Sequence, residues 1–129
     1  MHQPTRTSTA AMSVLIILQA VMLGALYAGV PPHPPAATPL FGIAPFLGAS
    51  LGAAVAALVL GANTSRAGTA LSLITTAMAL VSFGPQKYFD AQFGLIWPAV
   101  IAGQLAGLAI VWNIALDLLA STSEEGQQP

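Results

Sequence analysis

Residues 45–85 read PFLGASLGAAVAALVLGANTSRAGTALSLITTAMALVSFGP, and this stretch decides the fold. Two long apolar runs flank the short polar sequence of residues 63–65, and Arg66 is the one charged residue in the stretch. About 18 residues of α-helix reach roughly 27 Å, which is close to the thickness of the hydrocarbon core of a bilayer. The stretch therefore predicts two membrane-spanning helices joined by a tight turn into an antiparallel hairpin.

The ends of these two helices carry residues typical of helix caps. Asn63 is suited to a left-handed cap at the end of the first helix of the hairpin, and Ser65 to the N-cap of the second helix of the hairpin. The second helix is followed by Gly84 and Pro85, and because proline cannot continue a helix, this boundary is the clearest in the chain.

Apolar segments without charge continue on both sides of the hairpin. None of the charged side chains falls between Thr7 and Ser65, or between Ala91 and Leu116. A full charge costs about 2.5–3.5 kcal/mol at the centre of a bilayer, so such segments are typical of membrane spans. The sequence predicts four spans, at residues 11–29, 39–62, 66–83 and 93–119.

Two of these spans leave alternatives open. The second span begins at Pro39, or it restarts with a kink at Pro45. The first apolar run has the alternative of a cleaved signal peptide, with Arg6 in its basic region and a proline-rich loop after it. This run is longer than the usual apolar region of a signal peptide, which favours a retained span.

Composition supports the same fold class. The chain is 56% hydrophobic and 5% charged, with a mean hydropathy of +0.79, whereas an ordinary soluble domain is about 25% charged. We therefore expect an all-α integral membrane protein, a four-transmembrane-helix bundle with antiparallel up-down neighbours at residues 11–119. Residues 1–10 and 120–129 are expected to be polar, disordered tails, the second of them acidic.

Basic residues indicate how the spans are oriented. With four spans, both termini and the turn at Asn63 lie on one side, which carries Arg6 and Arg66, while the other side carries only Lys87. The positive-inside rule then predicts a multi-pass protein of a bacterial inner (cytoplasmic) membrane with both termini in the cytoplasm, by a narrow margin.

Small residues mark possible helix-packing faces. Gly48 and Gly52 are separated by three residues in the second span, and Gly103 and Gly107 have the same spacing in the fourth. Because apolar helices gain little from the hydrophobic effect in lipid, close approach at such residues drives association. The faces pack within one bundle, or at least one of them meets another chain. The fourth span favours the second alternative, since a further small face runs along it, at Ala102, Ala106, Ala109 and Asn113.

Polar side chains within the spans are few. Gln19, Gln104 and Asn113 are the amides, and the pair Thr75 and Thr76 is the densest hydroxyl group. Such groups typically hydrogen-bond across helices. The alternative is that they line a path or a polar site for a solute.

The loop before the fourth span is aromatic and charged. Lys87 and Asp90 are placed to pair with each other, or Asp90 caps the following helix while Lys87 extends toward headgroups. Tyr88 and Trp97 are suited to anchoring at the membrane interface, and Trp112 lies about 22 Å further along the helix, near the opposite interface. The alternative is a loop that docks a partner protein.

Missing residues exclude several functions. The span interiors lack the acidic residue that proton-coupled exporters need, and His2 and His33 lie outside the spans, which disfavours haem and metal ligation. A chain without cysteine and with a net charge of −1 also lacks thiolate chemistry and a nucleic-acid surface. No cofactor is predicted.

The function that remains is structural. We expect a small non-enzymatic accessory or packing subunit of a membrane protein assembly, whose partners are the lipid bilayer and other membrane protein chains, as a homo- or hetero-oligomer. The alternative is a small channel or carrier for a neutral or apolar solute, and a membrane enzyme has the least support.

Overall fold

A computed structural model describes residues 3–30, 40–91 and 93–127, and these ranges contain helices and turns but no strand. The elements are α1 (Gln3–Ala28), α2 (Leu40–Leu60), α3 (Arg66–Phe83), a short 3-10 helix (Pro85–Phe89) and α4 (Phe93–Glu125). All four α-helices are long and apolar enough to cross a membrane, which confirms the predicted number of candidate spans. The proline-rich loop with His33, and the helix start at Pro39, lie outside the described residues.

Two prolines lie inside helices. Pro45 is in α2 and Pro98 is in α4, and each is the sixth residue of its helix. A proline removes the backbone hydrogen bond to the carbonyl four residues earlier, and its ring crowds that carbonyl. Each helix nevertheless continues on both sides of its proline. The helix therefore does not restart at Pro45, since α2 already includes the residues before it.

The turn between α2 and α3 is built partly as the sequence predicts. Ser65 is the N-cap of α3, and its side-chain oxygen accepts a hydrogen bond from the backbone N–H of Gly68 at 3.0 Å. The prediction for Asn63 was wrong, because the left-handed residue is Gly61, with φ of 88°. Glycine adopts this conformation without the steric cost that a Cβ atom brings. Asn63 instead donates a side-chain hydrogen bond to Asp117 of α4 at 2.6 Å.

The end of α3 is confirmed at Phe83, but Gly84 serves there for a different reason from the one predicted. Gly84 is extended, with φ of −79° and ψ of −179°, so it is not a left-handed cap. A Cβ at this position would collide with the carbonyl oxygen of Leu80 and the side chain of Gln86. The Gln86 amide donates to the carbonyls of Leu80 and Val81, at 2.9 and 2.8 Å, and so satisfies the end of the helix.

The helices pack in a ring. α1 lies against α2 and α4, and α3 also lies against α2 and α4, with a smaller contact between α1 and α3. Among the described residues, no Cα atom of α2 comes within 8 Å of one in α4. The buried interior is built mainly from alanine and aliphatic side chains, which include Met12, Leu15, Ala54, Ala57, Ala79, Ile110 and Ile114. Small side chains allow the helices to approach closely.

Three parts of the chain meet at one end of this ring. Asn113 of α4 donates to the hydroxyl of Ser8 in α1 at 3.2 Å, and the Asn63 turn bonds to Asp117. The start of α1, the turn between α2 and α3, and the last turns of α4 therefore lie together.

Both terminal segments differ from the predicted disordered tails. α1 begins at Gln3 instead of near residue 11, and α4 continues to Glu125 instead of ending near residue 119. At the N-terminus, Ser8 is buried against α4, so the residues before the apolar run gain contacts that the sequence pattern does not show. At the C-terminus, Ser121, Thr122 and Ser123 donate to carbonyls one turn earlier in α4.

Candidate functional site

The glycine pair of α4 lies inside the bundle. A Cβ at Gly103 would stand 2.9 Å from Cβ of Phe83 and 3.5 Å from a methyl carbon of Leu18. A Cβ at Gly107 would stand 3.2 Å from the methyl carbon of Thr76. These glycines therefore allow α1 and α3 to approach α4 closely.

The second small face of α4 is also used within the bundle. Ala106 and Asn113 are buried, and Ala109 packs against the core. The sequence left open whether one face of this helix meets another chain. Both of its small faces point toward α1 and α3, which favours the alternative of packing within one bundle.

The glycine pair of α2 has the opposite surroundings. Gly48 and Gly52 are exposed, and nothing within 4 Å would meet a Cβ at either position. The exposed Ala49 lies beside them, and the buried residues of α2 are on the other side of the helix. Within the apolar windows long enough to cross a membrane, 22% of the residues of α2 are buried, as in α1, against 44% in α3. An open face of very small residues thus follows the outside of a peripheral helix.

Two of the predicted intramembrane amides are hydrogen-bonded within the chain. Asn113 donates to Ser8, a pair that joins α4 to α1. Gln104 donates to the backbone carbonyl of Phe83 at 3.2 Å and accepts from the hydroxyl of Tyr88 at 3.0 Å. Gln104 therefore ties α4 to the end of α3 and to the 3-10 helix.

The third amide, Gln19, has no such partner. Its side chain is fully buried in α1, and neither its nitrogen nor its oxygen makes a hydrogen bond within the described part of the chain. The hydroxyls of Ser50 in α2 and Thr75 in α3 are also buried without a partner. A buried polar group left unpaired costs about 1–3 kcal/mol, so this set stands apart from the rest of the interior.

Sequence reasoning singled out Gln19 and Thr75 but missed Ser50. Serine is common in this chain, and its hydroxyl usually bonds to its own helix, so the residue type alone gives no signal. Its position does give one, because Ser50 shares a helical face with Leu47, Ala54 and Ala57, opposite the exposed glycines.

The loop before α4 folds as a compact interfacial segment. The ammonium group of Lys87 lies 3.6 Å from the carboxylate of Asp90, so these two residues form the predicted i, i+3 pair. The ring of Tyr88 packs on the ring of Phe93, with centroids 5.2 Å apart. Trp97 is half exposed on the outside of α4. The aromatic residues therefore present a broad outer surface, and the hydroxyl of Tyr88 donates to Gln104 there.

The end of the bundle near the turn carries an open groove rather than an enclosed site. It holds about 440 Å³ between α3 and the end of α4, with Arg66, Thr69 and Leu118 among its lining residues. Within residues 3–30, 40–91 and 93–127, no three His, Cys, Asp or Glu side chains come together as metal ligands would.

Comparisons with protein-family models, with curated proteins and with solved structures find no match for this chain.

Proposed function

We propose that this chain is a multi-pass protein of a bacterial inner membrane, with neighbouring helices antiparallel and both termini in the cytoplasm. The contacts of Ser8 with Asn113 and of Leu18 with Gly103 support the antiparallel arrangement of α1 and α4, because residue numbers rise in one helix as they fall in the other. Arg6 and Arg66 belong to the end that gathers the termini, which supports a cytoplasmic location for that end.

In this membrane, the chain acts as a small non-enzymatic accessory or packing subunit of a larger assembly. The observation that carries this proposal is the open face of Gly48 and Gly52 on α2. The same glycine spacing on α4 is buried against neighbouring helices, which shows how this bundle uses such a face when a helix is present. We infer that a helix of another chain packs on α2 in the same way.

Energetics support this interpretation of the α2 face. Glycine in a helix interior is less favourable than alanine by about 0.5–1 kcal/mol, because it has more backbone freedom to lose. A face in contact only with lipid gains nothing from glycine in return. A helix partner does gain, since the backbones approach closely where side chains are absent.

The test is the mass of the assembly in mild detergent after extraction from native membranes. We expect the wild-type chain in particles heavier than one 13.1 kDa chain, either as copies of itself or with a partner. A variant with Gly48→Ile and Gly52→Ile is expected to run as a single chain, because the added side chains keep a second helix away.

Two other exposed glycines provide a matched control. Gly24 in α1 and Gly94 in α4 also have nothing within 4 Å of a Cβ position, so Gly24→Ile with Gly94→Ile adds the same side chains elsewhere on the surface. This control is expected to keep the wild-type mass. A wild-type chain that is monomeric without partners, or an α2 variant of unchanged mass, would contradict the proposal.

The solute-path alternative has weaker support. Of its predicted lining, Asn113, Gln104 and Thr76 all hydrogen-bond to protein groups, which favours a structural role for them. Replacing Gln104 with leucine is expected to leave solute flux in proteoliposomes unchanged, and a lost flux would revive the alternative.

A further inference from the structure

Gln19 is an exception among the polar side chains of the bundle. It lies on the inward face of α1 with Leu15, and it has two hydrogen-bond donors and a carbonyl acceptor without partners in the described residues. A serine or threonine hydroxyl can bond to a carbonyl of its own helix. A glutamine amide that points across a bundle cannot find partners on its own helix for both its NH2 group and its carbonyl oxygen. Buried polar groups are almost always hydrogen-bonded, to protein or to water.

Ser50 and Thr75 are exceptions of a similar kind. Hydroxyls inside helices commonly donate to the carbonyl one turn earlier, and Ser72 and Thr76 of α3 do so at 2.8 Å. The hydroxyls of Ser50 and Thr75 make no such bond, although both side chains are completely buried. Both are therefore free to bond to a group in the interior.

Contacts on α4 give the relative depths of Gln19 and Thr75. Leu18 lies against Gly103, and Thr76 lies against Gly107 one turn away. Counted along α4 from these two contacts, about six residues, or roughly 9 Å, separate Gln19 from Thr75 along the bundle axis. Counted along α3 from Phe83, which also lies against Gly103, the separation is about nine residues, or roughly 13 Å.

The depth of Ser50 follows from the α2–α3 hairpin. Ser65 bonds to the carbonyl of Leu60, and counting back from this contact along both helices places Ser50 level with Thr75. A second count along the two helices starts from the close approach of Gly61 and Gly68. It places Ser50 one helical turn nearer to the level of Gln19. The three side chains therefore occupy a short stretch of the interior, on three different helices.

The buried interior ends at the level of Gln19. Among the described residues, Gln19 is the last buried residue of α1, Leu47 is the first of α2, and Val100 is the first of α4. Beyond this level, toward the end of α1, the described residues of these three helices are partly or fully exposed. Gln19 thus lies at the boundary between the closed interior and the more open end of the bundle.

We propose that Gln19, Ser50 and Thr75 form a hydration site inside the bundle. The Gln19 amide and the two hydroxyls hold a chain of about two to four water molecules, since hydrogen-bonded oxygens lie about 2.8 Å apart. Water suits the site because it donates and accepts, as the amide does. A charged ligand does not suit it, because no charged side chain of the described residues is buried. This proposal does not depend on the proposed packing of another chain on the outer face of α2.

The test is water-edited solid-state NMR of the full chain in lipid bilayers, with ¹⁵N-labelled glutamine. The side-chain signal of Gln19 is identified by its loss in Gln19→Leu, or by its shift in Gln19→Asn if the first variant does not fold. We expect magnetisation to pass from water to the Gln19 amide although its side chain is fully buried.

Two neighbouring threonines supply a matched pair of variants. Thr75→Val removes a proposed water ligand, whereas Thr76→Val removes a hydroxyl that is bonded to the Ser72 carbonyl. Transfer to Gln19 is expected to slow in Thr75→Val and in Ser50→Ala, and to stay at the wild-type rate in Thr76→Val. No transfer from water to Gln19, or equal rates in all three variants, would overturn the proposal.

Discussion

Gly103→Ala is expected to lower the free energy of unfolding, whereas the same substitution at Gly52 raises it. Alanine improves helix propensity by about 1 kcal/mol at both positions. At Gly52 this gain is the whole effect, because no atom lies within 4 Å of the new methyl group. At Gly103 the methyl carbon meets Cβ of Phe83 at 2.9 Å and Cγ at 3.3 Å, and a Cβ cannot rotate away from its own backbone.

The expected magnitude follows from these two terms. Overpacking a close helix contact costs about 1–3 kcal/mol, so the net loss at Gly103 is about 0–2 kcal/mol. The two variants should therefore differ by about 1–3 kcal/mol. Gly107→Ala is expected to fall between them, since its new methyl group meets the rotatable side chain of Thr76 at 3.2 Å.

The assay is reversible unfolding in mixed micelles, followed by circular dichroism, at a dilution that keeps the chains separate so that assembly does not contribute. Equal stabilisation by Gly103→Ala and Gly52→Ala would refute the close packing of α4 on the end of α3, and with it the assignment of the two glycine pairs to the inside and the outside of the bundle.

Two further predictions concern hydrogen bonds that close the bundle. A double-mutant cycle with Ser8→Ala and Asn113→Ala is expected to give a coupling free energy of about 0.6–1.7 kcal/mol in the same unfolding assay, and a coupling near zero would show that α1 and α4 do not share this bond. Ser65→Ala is expected to lower stability by about 1 kcal/mol through loss of the α3 N-cap. Ser65→Asp, which keeps the acceptor for Gly68 but cannot donate to the carbonyl of Leu60, is expected to lose less than Ser65→Ala.

Local features of the sequence were enough to predict most helix ends. The sequence Gly84-Pro85 ends α3 at Phe83, and Ser65 caps its start. Both could be predicted because helix capping and helix termination depend on residues within a few positions. The error at Asn63 is also local, since Gly61 was available two residues earlier for the left-handed position at lower steric cost.

The candidate sites could be predicted only in part. Residue type and spacing identified both glycine pairs, and depth in the spans identified Gln19, Gln104 and Asn113. The partners of Gln104 and Asn113 come from residues as distant as Ser8, which lies 105 positions from Asn113 in the chain, and no pattern within a single helix indicates them. Ser50 was missed for the same reason, because its missing bond is visible only in the folded interior.

The sequence by itself determined that the chain has four long apolar helices and where most of them begin and end, because charge, apolar length and capping are properties of each segment. Only the tertiary structure decided which side of each helix faces inward. The α2 and α4 glycine pairs have the same spacing, yet one is open and the other is packed on Phe83 and Thr76. The rotation of a helix about its axis depends on neighbours that are remote in the chain, so identical spacings acquire different roles.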